Sequence, residues 1–104
     1  MNDFEIIATN FIEQIASSIE EQDKNYAFDL EYSNEVLSIA VDNKIFIINK
    51  QRPLEEIWLA SPLSGPHHFK FIGTSWLNKK GQKITDIISE ELTKLQTQKI
   101  KISE

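Results

Sequence analysis

Six carboxylates crowd the stretch from residue 13 to residue 31: Glu13, Glu20, Glu21, Asp23, Asp29 and Glu31. Glu20 and Asp23 are three positions apart and share a face if the segment is helical. Asp29 and Glu31 are two apart and point the same way if theirs is a strand. Glu13 lies two turns back on the Glu20 side. A helix packed beside that strand would gather these oxygens into a ridge, and carboxylates supply both the charge and the hard donors that a metal cation takes. The plainer reading is a solvated acidic surface that keeps a small protein soluble. Lys24 and the uncharged Gln22 and Asn25 thin the ridge. No closed cage of ligands is evident, so cation sites here are expected to be exposed, weak and unselective.

A second constellation lies further along. Asn49 and Gln51 alternate on one face of a strand whose other face carries Phe46 and Ile48. Trp58 alternates against Ile57 and Leu59, which turns its indole to solvent beside the two amides. An exposed indole flanked by amides is a strong anchor for a protein partner, because it offers large area at little entropy loss. Burial in the core is the competing reading for any lone tryptophan, and Trp76 is read that way. His67 and His68 are neighbours on a strand and point to opposite faces, so they do not chelate together. Ser61 and Ser64 lack the Gly-x-Ser-x-Gly setting of a nucleophile. No phosphate loop, helical zinc motif or EF-hand spacing occurs. The absence of cysteine excludes disulfides, thiolate catalysis, cysteine-held zinc and the usual self-held iron–sulfur cluster. No catalytic residue is assigned, and the chain is not read as an enzyme.

Charge is divided unevenly. Residues 1–31 carry eight acidic side chains against the single Lys24, a net of −7, whereas residues 32–104 carry ten basic against eight acidic, a net of +2. Such an N-terminal third attracts cations or a basic partner and repels phosphate backbones, which argues against nucleic acid. The longest apolar run, Ile45 to Ile48, has strand length, far short of the roughly 20 residues that span a bilayer. With an acidic start and no basic n-region, the chain is expected in the cytoplasm.

The elements that must position these groups follow from periodicity. Phe4, Ala8, Phe11, Ile15 and Ile19 predict an amphipathic helix over 3–22, with Glu13 and Glu20 on its outer face. Phe28, Leu30 and Tyr32 alternate with Asp29 and Glu31 as a first strand. Leu37, Ile39 and Val41 form a second, and Phe46 and Ile48 continue the inward face into a third. Pro53 interrupts before a fourth at Ile57-Trp58-Leu59. Pro62 to Pro66 is a loop by composition. Residues 67–72 read as a fifth strand with Phe69 and Phe71 inward, and Ser75-Trp76-Leu77 as a short sixth. Asn78 to Gly81 turns the chain into a second helix whose buried stripe is Ile84, Ile87, Ile88, Leu92 and Leu95. Ile100 and Ile102 then cover the helix groove. At 104 residues this is one domain, 1–104, of the α+β class. The expected form is a two-layer sandwich with both helices on one face of a largely antiparallel sheet of five to six strands.

Two linked motifs in this frame are specific. Ile48-Asn49-Lys50-Gln51-Arg52-Pro53 and Ile57-Trp58-Leu59-Ala60-Ser61-Pro62-Leu63-Ser64-Gly65-Pro66 resemble the signature of the frataxin family, and Trp76, Gly81 and Glu91-Leu92 extend the resemblance over nearly the whole chain. The loop after Ser61 is closer to mitochondrial members than to many of the bacterial, CyaY-like ones with which the chain is otherwise grouped. The resemblance implies a frataxin-like fold and a role in iron–sulfur cluster assembly. It implies weak, exchangeable binding of ferrous or ferric iron by Glu13, Glu20, Glu21, Asp23, Asp29 and Glu31. It also implies contact with the cysteine desulfurase and its iron–sulfur scaffold protein through Asn49, Gln51 and Trp58. His68 stands where many mitochondrial members carry an arginine of the same interface, which puts that charged contact in question. By the same resemblance the chain is expected as a monomer, with iron-dependent oligomers, a ferroxidase activity and a metal-independent regulatory role as open alternatives.

Overall fold

A computed structural model of the chain describes residues 3–96 and 98–103. Its elements run α1 (Asp3–Gln22), β1 (Asp29–Ser33), β2 (Val36–Val41), β3 (Lys44–Gln51), a 3₁₀ turn (Arg52–Leu54), β4 (Glu56–Ser61), β5 (Gly65–Ile72), β6 (Ser75–Leu77) and α2 (Ile84–Leu95). The strands form one antiparallel meander in chain order, β1 to β6. Tight connections set the registers. Asn34 (φ 51) and Glu35 (φ 65) both adopt the left-handed conformation in the two-residue turn that pairs Ser33 with Val36. Gly73 (φ 67) opens the turn that pairs Ile72 with Ser75, a conformation that glycine adopts without strain.

Both helices pack on one face of the sheet, as the apolar patterns require. The core joins Phe4, Ala8, Phe11, Ile12, Ile15 and Ile19 of α1 to Leu37, Ile39, Phe46, Ile48, Ile57, Leu59, Phe69 and Trp76 of the strands and to Ile84, Ile88 and Leu92 of α2. Trp76 is buried as expected, against Phe4, Phe11 and Phe71 at centroid distances of 6.1, 5.9 and 5.2 Å. Ile100 and Ile102 are buried too. Gln22 on α1 holds both peptide groups of Lys101, and Ser89 and Thr93 on α2 bond Ile102 and Ile100, so the tail is clamped between the helices.

The fold departs from the periodicity in four places. β1 begins at Asp29, with Phe28 buried just ahead of it. β5 begins at Gly65, so the loop shortens to Pro62-Leu63-Ser64. Phe71 lies on the inward side of β5 but stays 42% exposed, because β6 is only three residues long and its cover ends there. Leu95, at the last residue of α2, is partly buried.

Lys50 interrupts the apolar inner row of β3, with its side chain 2% exposed. Its ammonium uses its three hydrogens on Glu5 (3.1 Å), Thr9 (2.8 Å) and Glu35 (3.1 Å). Arg52 closes the ring by pairing with Glu5 at 2.5 Å and with Glu35. Burial alone would depress Lys50, but the bonds to Glu5 and Glu35 outweigh it and hold the ammonium above the usual lysine range. The network ties α1 to the β1–β2 turn and to the end of β3, where the strand face that carries Asn49 and Gln51 terminates.

Candidate functional site

On the sheet's solvent face the registers put Asn49, Trp58 and His68 in one cross-strand row. The next row is Gln51, Glu56 and Lys70. The His68 ring stacks on Trp58 with centroids 4.0 Å apart and an interplanar angle of 9°. The Trp58 indole N–H donates to Glu56 Oε1 at 2.7 Å. Glu56 Oε2 pairs with Lys70 at 3.2 Å, and Lys70 also donates to the Leu54 carbonyl at 3.2 Å. The indole hydrogen bond, then Lys70 and the nearby His68, hold the Glu56 carboxyl below the ordinary glutamate value against the push of burial. Trp58 is therefore held in place on the open face, with its polar edge already satisfied. A partner docking there would meet a preset apolar surface and bear little of the cost of ordering it.

The four residues that sequence assigned to a protein-binding face thus fall together. Glu56 and Lys70, which hold Trp58, were not among them. Glu56 lies two positions from Trp58, and the strand period alone places both on one face.

The acidic ridge is arranged differently. Glu20, Asp23 and Asp29 line one open cleft of about 450 Å³, with Tyr26, Phe28 and Leu30 as its other walls. Glu13 and Glu21 on α1 and Glu31 on β1 are exposed but do not line it. Glu13 lies further along the ridge, where its charge reaches Tyr32. Among the described residues no three His, Asp or Glu side chains converge on one metal-sized site. Asp23 is already engaged. Its two oxygens accept the Ala27 and Phe28 N–H groups, each at 2.9 Å, and Gln98 Nε2 at 2.7 Å. These bonds outweigh burial and hold its carboxyl below the ordinary aspartate value. Asp23 shapes the α1–β1 connection, and its free lone pairs are correspondingly few. His67 and His68 do point to opposite faces: His67 bonds Ser64 Oγ at 2.7 Å and lies 6.0 Å from Phe69, while His68 faces Trp58.

Two helices over a six-stranded meander, with a preset indole on the bare side of the sheet and an acidic cleft at its edge, define a frataxin-like sandwich. The family model for the frataxin-like domain matches residues 1–98, and the chain belongs to the frataxin family. It is 36% identical over 92 residues to the mitochondrial frataxin homologue of Saccharomyces cerevisiae, covering 84% of this chain and 53% of that protein. It thus spans about half the length of that relative. It is 40% identical over 82 residues to the iron–sulfur cluster assembly protein CyaY of Mannheimia succiniciproducens, covering 76% of this chain and 79% of that one. Frataxin from Psychromonas ingrahamii superposes with a TM-score of 0.87 over 100% of both chains at 27% identity. The trimeric yeast frataxin in its ferrous complex superposes with 0.78 over 88% of this chain and 86% of that one, at 34% identity.

Proposed function

We propose that this protein is an accessory factor of iron–sulfur cluster assembly that docks on the cysteine desulfurase–scaffold complex through the Asn49–Trp58–His68 row and binds iron weakly on the acidic ridge. The observation that carries the docking role is the Trp58 indole, stacked by His68 and tied by Glu56 on a sheet face that no helix among the described residues covers. Family membership and the cluster-assembly role of the Mannheimia relative support it. Iron is cargo or effector in this reading, taken by exposed carboxylates around Glu20 and Asp29, and the protein works as a binding module in the cytoplasm. No described helix is long and apolar enough to cross a membrane.

A second reading has an observation in its favour. The ridge lacks converging ligands among the described residues, and Asp23 is engaged by backbone N–H groups. A regulator that needs no metal of its own, whose acids steer it toward a basic partner, fits that geometry. Ferroxidase activity would need carboxylates gathered about one site, and is the weaker alternative.

The deciding experiment is an anaerobic titration of ferrous iron into isotopically labelled protein, followed by amide spectra. Broadening confined to Glu20, Glu21, Asp29 and Glu31 supports the iron-binding reading. Unmoved amides at millimolar iron reject it and leave the Trp58 face as the working surface.

A further inference from the structure

A third cleft, of about 340 Å³, opens between the β4–β5 turn and the loop that joins β6 to α2. Ser64, His67 and His68 form one wall; Asn78, Lys79 and Lys80 stand on the other, and no carboxylate among the described residues lines it. Lys50, Arg52, Lys70 and Lys94 are matched by Glu5, Glu35, Glu56 and Glu90, whereas Lys24, Lys44, Lys99 and Lys101 are unmatched among the described residues; what sets Lys79 and Lys80 apart is that both line one cleft. Lys79 and Lys80 pair with no carboxylate among the described residues.

Both walls are fixed. Asn78 Oδ1 accepts the N–H groups of Lys80 (3.0 Å) and Gln82 (2.9 Å), and Gly81 (φ 77) lets its own N–H return to the Asn78 carbonyl at 3.0 Å. Opposite, Ser61 Oγ accepts from Leu63 and Ser64 and is anchored on buried Glu91 at 2.5 Å, while Ser64 Oγ bonds His67. Lys79 and Lys80 are thus carried on one pinned loop that faces a pinned turn. His68 belongs to this cleft and to the Trp58 stack at once, so the cleft continues the docking face.

We propose that this cleft receives an acidic segment of the protein that docks on the Trp58 platform, an inference that rests on the docking role proposed above. Charge complementarity and the shared His68 ring argue for it. A partner that meets the acidic ridge with basic groups and this cleft with acidic ones is held in one orientation, because the reversed pose opposes like charges at both ends.

The test begins on the free protein with hexaglutamate as probe, titrated into labelled protein at low ionic strength, and with inorganic phosphate in parallel. Hexaglutamate should shift the amides of Ser64, His68 and residues 78–82, and the double variant Lys79→Glu/Lys80→Glu should abolish those shifts. Unmoved amides overturn the proposal. Phosphate giving the same shifts as fully at equal ionic strength also overturns it, in favour of a free-anion site. On the desulfurase–scaffold complex, the double variant should bind about ten-fold more weakly and with a shallower salt slope. If it binds as tightly as the parent while Trp58→Ala does not, the acidic-segment assignment fails and the platform stands. If neither variant loses affinity, the docking role itself falls and this inference with it.

Discussion

Trp58 is held by neighbours on two strands, with His68 against its ring and Glu56 on its N–H, whereas five of the six ridge carboxylates accept no hydrogen bond among the described residues. The sixth, Asp23, spends its oxygens on Ala27, Phe28 and Gln98. One surface is prepared in shape; the other is prepared in charge alone. A preset aromatic surface suits recognition of one partner, since little entropy remains to be lost on binding. Exposed, unfixed carboxylates suit weak, fast and salt-sensitive association with cations or basic groups.

This contrast can be broken most directly at Trp58. Trp58→Ala should weaken binding to the desulfurase–scaffold complex by about 2 kcal/mol or more, some thirty-fold, as for a central aromatic anchor. Its thermal unfolding should stay close to that of the parent, because the indole lies on the open face. A calorimetric affinity equal to that of the parent would remove the contrast altogether.

The ridge has its own expected response. Asp23→Asn keeps the side chain's shape but replaces one acceptor oxygen by an NH2 donor, so that only one of the two backbone N–H groups is still accepted, and should cost about 1 kcal/mol or more of stability by urea unfolding. Ferrous shifts at Glu20 and Asp29 should survive it. If they vanish, Asp23 is a ligand despite its bonds, and the ridge is more built than it looks.

Acid acts on both surfaces. Glu5, Glu35 and Glu56 are held below the ordinary 4.5 and Asp23 below 3.8. Each therefore contributes stability that is complete above those values and is lost as pH falls through the lowered ones, where the unfolded chain takes up protons first. The urea midpoint should hold steady near neutrality and drop below about pH 4.5. A midpoint unchanged down to about pH 3 would mean that these contacts contribute nothing.

The smallest effect is expected at Glu56. Glu56→Gln weakens a charge-assisted bond to the indole, and should reduce affinity for the complex by about 0.5 kcal/mol, a two- to three-fold change. The Trp58 indole N–H resonance should move upfield. An unmoved resonance would show that the stack on His68 suffices to hold the ring.

Much of this architecture was legible because it rests on period. Alternation around Phe46, Ile48, Ile57 and Leu59 settled which face of each strand is buried, and so turned Asn49, Gln51 and Trp58 outward. The same rule places Lys50 inward, on the face that carries Phe46 and Ile48, but a lysine reads as surface until its acceptors are known. Those acceptors lie 45, 41 and 15 positions away in sequence. Phe71 was expected inside for the same reason that Phe69 is inside; the short β6 leaves it half covered, and strand period does not report where a sheet's cover ends. Asp23 read as one more ridge carboxylate, and its engagement came from the geometry of the α1–β1 connection.

By itself, then, the sequence determined the order of elements, the buried stripe of each and the two motifs of the frataxin family, since these depend on residue type and local spacing. The tertiary structure decided which charges are matched, what holds Trp58 and where Lys79 and Lys80 stand relative to His68. Those depend on groups brought together across strands and loops. Ion pairs, hydrogen bonds and ring stacks form only at separations of a few ångströms, and only the folded chain sets such distances.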